Sequence, residues 1–176
     1  MTTDNLDTAF ERNRAFAAAG GQEDAVVFPK LRLFVITCLD PRTDPAHFLG
    51  LRLGDAIVVR NAGGRVTREV INDVAFIGQL AESIVPDGPL FEVAVIHHTQ
   101  CGTGALADDT FRRRYAERIG AEESRLRDQA VLDPAATVAH DVERLRSAPA
   151  SSARITVSGH VYDVVTGLME TVVPAY

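Results

Sequence analysis

The stretch Leu31-Arg32-Leu33-Phe34-Val35-Ile36-Thr37-Cys38-Leu39-Asp40-Pro41-Arg42 sets the reading of the whole chain. Leu31 to Thr37 is apolar and rich in β-branched residues, the pattern of a strand buried on both faces. Outward from it, Ala56 to Arg60 is a second short strand, running into the turn signal Asn61-Ala62-Gly63-Gly64. Thr67 reads as an N-cap, and Val70, Val74, Ile77, Leu80-Ala81 and Ile84 form the helical stripe after it. Pro86-Asp87-Gly88-Pro89 breaks that helix. Phe91 to His97 is a third buried strand. A charged helix is expected from about Ala105 to 130, and Asp133-Pro134 opens another, to about Ser147. Arg154 to Tyr162 and Leu168 to Val173 read as strands joined by the turn Asp163 to Gly167. Strand and helix alternate, which predicts an α/β fold: a mainly parallel central sheet flanked by helices, with a C-terminal hairpin or antiparallel edge strand.

Before the first strand, Leu6, Ala9, Phe10, Asn13 and Phe16-Ala17 recur at helical spacing until Gly20-Gly21. Residues 1–21 therefore read as an N-terminal helical arm on a single domain spanning 1–176, of a kind suited to a partner subunit.

Composition narrows the class. Hydrophobic residues make up 46% and charged residues 24% of the 176, which suits a globular chain with its own core and excludes a disordered one. The formal charge is −6, against nucleic-acid binding. Arg112-Arg113-Arg114 lies among Asp108, Asp109 and Glu117 and reads as a solvated helix face. Apolar runs are too short to span a bilayer, and Met1 to Arg14 lacks the order of a signal peptide. A cytoplasmic protein is expected, with its two cysteines reduced rather than bridged.

Those cysteines carry the chemistry. Cys38 follows the first strand, and Cys101 follows the third within His98-Thr99-Gln100-Cys101-Gly102. In parallel α/β folds, sites form at the carboxyl ends of strands. Two thiolates and one imidazole suit zinc, and three protein ligands leave a fourth position, as in catalytic rather than structural sites. Two unreactive buried cysteines are the plainer alternative.

Cys38-x-Asp40-x-Arg42, Arg60-Asn61-Ala62-Gly63-Gly64 and His98-Thr99-x-Cys101-Gly102 together resemble the β-class carbonic anhydrases, in their compact microbial branch, over roughly residues 30–165. The resemblance implies one zinc ion per chain, held by Cys38, His98 and Cys101, with Asp40 and Arg42 as a catalytic dyad beside it. It implies reversible hydration of carbon dioxide to bicarbonate and a proton, by attack of zinc-bound hydroxide. It also implies a homodimer or a higher multiple of dimers. Two thiolates make the ion a weaker Lewis acid than three histidines would, so activity should rise above about pH 7–8.

Several points stay open at this level. Asp40 either closes the site as a fourth ligand or stays off the metal, paired with Arg42. Gly63 and Gly64 line the pocket with N–H groups facing an anion, or form a plain tight turn. Gly102 precedes a helix, where its N–H could favour thiolate or bicarbonate. His97 could compete as ligand, but neighbouring strand residues face opposite ways and the family register selects His98. It then reads as a packed residue or a proton carrier. His47, His140 and His160 have no partner spacing. Pro29 stands where plant-like members carry a substrate-contacting glutamine. Val35 stands where some bacterial members carry the tryptophan of a regulatory bicarbonate pocket, so that inhibition is not expected. Relatives in the same branch hydrolyse carbonyl sulfide or carbon disulfide, which makes sulfur analogues an alternative substrate class. A non-catalytic zinc-binding interaction protein is the alternative from another class.

Overall fold

The computed structural model describes residues 4–23, 25–149 and 152–176. Five strands form one sheet: β1 (Leu33–Cys38), β2 (Ala56–Asn61), β3 (Phe91–His98), β4 (Ile155–Tyr162) and β5 (Met169–Val173), in spatial order β2-β1-β3-β4-β5. β1 runs parallel to β2 and β3, β3 runs parallel to β4, and only β5 is antiparallel, on β4. The expected mainly parallel sheet with an antiparallel edge is therefore what forms. Asp163 makes the hairpin turn, its Oδ1 accepting from the N–H groups of Val165 and Thr166.

Among the described residues, six α-helices accompany the strands: α1 (Asp4–Ala18), α2 (Pro45–Phe48), α3 (Arg68–Ile84), α4 (Asp109–Ile119), α5 (Glu123–Arg127) and α6 (Pro134–Arg146). α3 and α6 start where the caps predict. The Thr67 hydroxyl accepts from Val70 N–H, and the Asp133 carboxylate from Ala135 and Ala136. Their apolar stripes, Val70, Val74 and Ala81 on α3 and Val138, Val142 and Leu145 on α6, pack against Phe34, Ile36, Val93 and Val95 of the sheet. On the other sheet face, Val35, Ala94 and Ile96 are covered by Phe48, Leu49, Leu51 and Tyr162.

The region expected as one helix from Ala105 to 130 is three pieces. A 3-10 turn covers Gly102–Ala107, α4 follows, then α5. Asp108 is the reason for the first break: it is extended, at φ −72° and ψ 122°, and its carboxylate caps Phe111 N–H. Gly120, left-handed at φ 64°, ends α4. The arginine triplet is also not one solvated face. Arg112 is buried, and its guanidinium donates to the Leu106 and Ala107 carbonyls, tying the 3-10 turn to α4. Residues 6–19 are exposed throughout; the Phe16 ring lies against Gly21, while Leu6 and Phe10 are more than half exposed. Among the described residues, no helix is long and apolar enough to cross a membrane.

Candidate metal centre

Parallel register brings the carboxyl ends of β1 and β3 side by side, with Thr37 opposite Ile96. Cys38 ends β1 and His98 ends β3. Gln100, at φ 55°, then turns the chain so that Cys101 comes back beside them. The two sulfurs lie 4.0 Å apart, and the three ligand atoms all lie within 4.8 Å of one another. A tetrahedral ion with Zn–S bonds of about 2.3 Å requires sulfurs about 3.8 Å apart, so the spacing fits.

His98 supports the same assignment. Its Nδ1 lies 2.9 Å from the Thr99 carbonyl, which can only accept, so Nδ1 carries the proton. Nε2 is left with a free lone pair. It is buried and has no hydrogen-bond partner among the described residues, the state a metal ligand requires. Between the thiols, the hydrogen bond from Cys38 lowers Cys101, with help from the Thr103 hydroxyl, while the same bond pushes the Cys38 thiol up. Binding a metal requires both sulfurs as thiolates, so it releases protons.

Asp40 stands off this group. Arg42 grips its carboxylate with two side-chain bonds, Nε to Oδ1 at 3.0 Å and Nη2 to Oδ2 at 2.7 Å, and its main-chain N–H adds a third at 2.9 Å. These bonds hold the Asp40 carboxyl at about 2. Arg42 Nη2 also reaches the Gln100 carbonyl at 3.1 Å, joining the two strand-end loops. Of the two arrangements open to Asp40, the structure adopts the paired one. The loop itself is fixed by Arg60, whose Nε and Nη2 donate to the Cys38 and Asp40 carbonyls at 2.9 and 2.7 Å, and by the Thr43 hydroxyl on the Asp40 carbonyl at 2.9 Å.

A cavity of about 350 Å³ opens beside Cys38 and Asp40. Gly63 and Gly102 line it, and Leu39, Leu106, Phe111 and Tyr115 make its wall largely apolar. Gly64, expected in that wall, lies beneath it instead. It is left-handed at φ 66°, and a Cβ there would stand 2.9 Å from the Thr37 carbonyl carbon and 3.0 Å from Cys38 N. Only glycine fits between the strand ends at that conformation.

Behind the site lies a network that motif reading passes over. Asp141 of α6 is fully buried and accepts from Arg65 Nε and Nη2 at 2.7 and 3.1 Å and from Val66 N–H at 3.0 Å. His97 is also fully buried, with Nδ1 2.8 Å from the Thr137 hydroxyl and Nε2 3.3 Å from Asp141, both on α6. It is closed to solvent and lies outside the Cys38-His98-Cys101 group. The signal available in the sequence was an aspartate on the apolar stripe of α6, between Val138 and Val142.

Comparison with known proteins accords with this geometry. Residues 33–169 match the family model for carbonic anhydrase. β-Carbonic anhydrase 1 of Mycobacterium tuberculosis is 28% identical over 162 residues, spanning 92% of this chain and 94% of that protein. A carbon disulfide hydrolase of Acidithiobacillus thiooxidans is 28% identical over 156 residues, 77% of this chain and 74% of that one. The crystal structure of a carbonic anhydrase from Streptococcus mutans superposes with a TM-score of 0.79 at 32% identity, covering 98% of this chain and 99% of that one. A family match across most of the chain, and whole-length likeness to a solved member, follow the same strand ends that carry the donor set: the chain belongs to the β-carbonic anhydrase family.

Proposed function

We propose that the protein is a zinc-dependent carbonic anhydrase that hydrates carbon dioxide reversibly to bicarbonate and a proton, with one zinc per chain held by Cys38, His98 and Cys101. The observation that carries this reading is the withdrawal of Asp40 by Arg42, which leaves three protein donors and one position free. Zinc, when bound, supplies a Lewis acid that yields a water-derived nucleophile near neutral pH. The chain's own residues do the rest. Asp40, pinned by Arg42, accepts a hydrogen bond from the attacking oxygen and aims its lone pair at carbon. Leu39, Leu106, Phe111 and Tyr115 receive a small, uncharged, linear substrate. Gly63 and Gly102 let the product approach the backbone closely.

The apolar wall also suits carbonyl sulfide and carbon disulfide, and the similarity to a carbon disulfide hydrolase favours that second reading. The exposed apolar residues Leu6 and Phe10 of α1 support a homodimer or a multiple of dimers built on the arm. We place the protein in the cytoplasm, where thiolate ligands stay reduced.

The test is stopped-flow carbon dioxide hydration by zinc-loaded protein at about pH 8.5, where the weakened Lewis acid should be active, with both sulfur substrates assayed in parallel. A rate far above the buffer blank is expected for carbon dioxide. A negligible one, with turnover of a sulfur substrate, would shift the assignment to the second reading. Arg42→Ala should cost roughly a hundredfold in turnover with an almost unchanged melting temperature, since Arg42 is solvent-exposed and acts through Asp40. Lost stability with full turnover would mean that the dyad is structural.

A further inference from the structure

We propose that Thr103 is a positioning residue for the metal centre: its hydroxyl donates to Cys101 Sγ, fixes the direction of that ligand and draws electron density from it. This rests on the zinc reading above. Thr103 Oγ1 lies 3.1 Å from Cys101 Sγ, and Val131 N–H points at the same oxygen from 3.3 Å. A hydroxyl has one proton and two lone pairs. Val131 occupies a lone pair, so the proton is free to point at sulfur, where a thiolate is a stronger acceptor than a thiol.

The hydroxyl is not spent on its own backbone. The 3-10 turn Gly102–Ala107 has Cys101 at its N-cap with no side-chain cap bond, and Thr103 makes none to that turn. It connects the turn after Cys101 to the segment that carries Val131. Val131 packs directly on Cys38 and Cys101. Gly63 faces Thr103 so closely that a Cβ there would stand 3.2 Å from Oγ1. Main-chain N–H groups face both sulfurs, those of Asp40 and Gly63 at Cys38 and that of Thr103 at Cys101. Cys101 also receives the Thr103 hydroxyl, and that part of its support can be removed by one substitution.

Hydrogen-bonded partners of metal ligands typically change metal affinity about 10- to 100-fold when lost. Thr103→Val keeps the shape and deletes the hydroxyl. Thr103→Ser keeps the hydroxyl and deletes the methyl. Both are compared with the parent by chelator competition for Zn2+ and by the thiolate-to-metal charge-transfer band of the Co2+-substituted protein. For Thr103→Val, we expect affinity about tenfold lower and the band moved to longer wavelength, because an unbonded thiolate gives up its electrons more readily. Thr103→Ser should restore both. The assignment fails if Thr103→Val matches the parent in both readouts, if Thr103→Ser behaves like Thr103→Val, or if melting temperature changes while the band does not. A parent protein that binds neither Zn2+ nor Co2+ would overturn the zinc reading itself.

Discussion

His98→Ala is expected to leave the protein without zinc after dialysis and to bring carbon dioxide hydration down to the buffer blank. The site has three candidate protein donors, and structural zinc sites with four bind with about 10–16 kcal/mol, roughly 2.5–4 kcal/mol per ligand. Losing one ligand of three should therefore weaken zinc by about a hundredfold to a thousandfold. No neighbour can replace it. His97 is buried against α6, held by Thr137 and Asp141, and Asp40 is committed to Arg42. The apo fold should tolerate the change, because His98 Nε2 is buried without a partner and its removal orphans nothing on that side. The decisive comparison is thermal. Zinc should raise the melting temperature of the parent, as any ligand of the native state does, and leave that of His98→Ala where it was. Cys38→Ala and Cys101→Ala should behave alike. A variant with stoichiometric zinc and parental rates would show that the ion binds elsewhere.

The candidate donors of this site could be read from sequence because each is at or near a strand end. Apolar runs locate β1 and β3, parallel pairing puts their carboxyl ends together, and cysteines at both ends leave few alternatives. The rest depended on contacts that spacing does not encode. Whether Asp40 ligates or stands off is decided by Arg42, which braces itself on the Gln100 carbonyl of the neighbouring loop. Gly64 looked like cavity lining because it follows Gly63, yet its close approach is to the β1 backbone beneath. Arg112 looked solvated because its sequence neighbours are charged, whereas its guanidinium turns inward to two carbonyls of the preceding turn. The helix expected from Ala105 to 130 is cut by Asp108 and Gly120, a cap and a left-handed glycine within a helix-like composition. Each outcome turns on a contact or a backbone conformation that the residue pattern does not encode.

Asp141→Ala is expected to destabilise the fold by about 3–5 kcal/mol, the cost of stranding a buried charge by removing its partner. That is a large fraction of the roughly 5–15 kcal/mol that keeps a domain folded. The Arg65 side chain is only 9% exposed, so its guanidinium cannot turn to water for a substitute, and Val66 N–H would lose its acceptor as well. The source of the penalty can be isolated. Replacing the pair together, Arg65→Met with Asp141→Leu, should recover most of the loss, because two apolar groups leave no orphaned charge. Acid dependence provides a second check. Burial alone would push the Asp141 carboxyl up, but the His97 ring and Arg65 outweigh it and hold the group well below the usual carboxylate range. A carboxyl lowered on folding contributes stability that is complete above its unfolded pKa of about 4 and is lost as pH falls from there toward the folded value. The stability gap between parent and Asp141→Ala, from urea denaturation, should therefore be constant above about pH 5 and shrink below about pH 4. A gap that widens on acidification, or a single variant within about 1 kcal/mol of the parent, would mean that Arg65 is held by something other than this carboxylate. Arg65 and Val66 directly follow the Ala62–Gly64 turn on which Cys38 rests, so the same network that stabilises the fold also sets the floor of the metal centre.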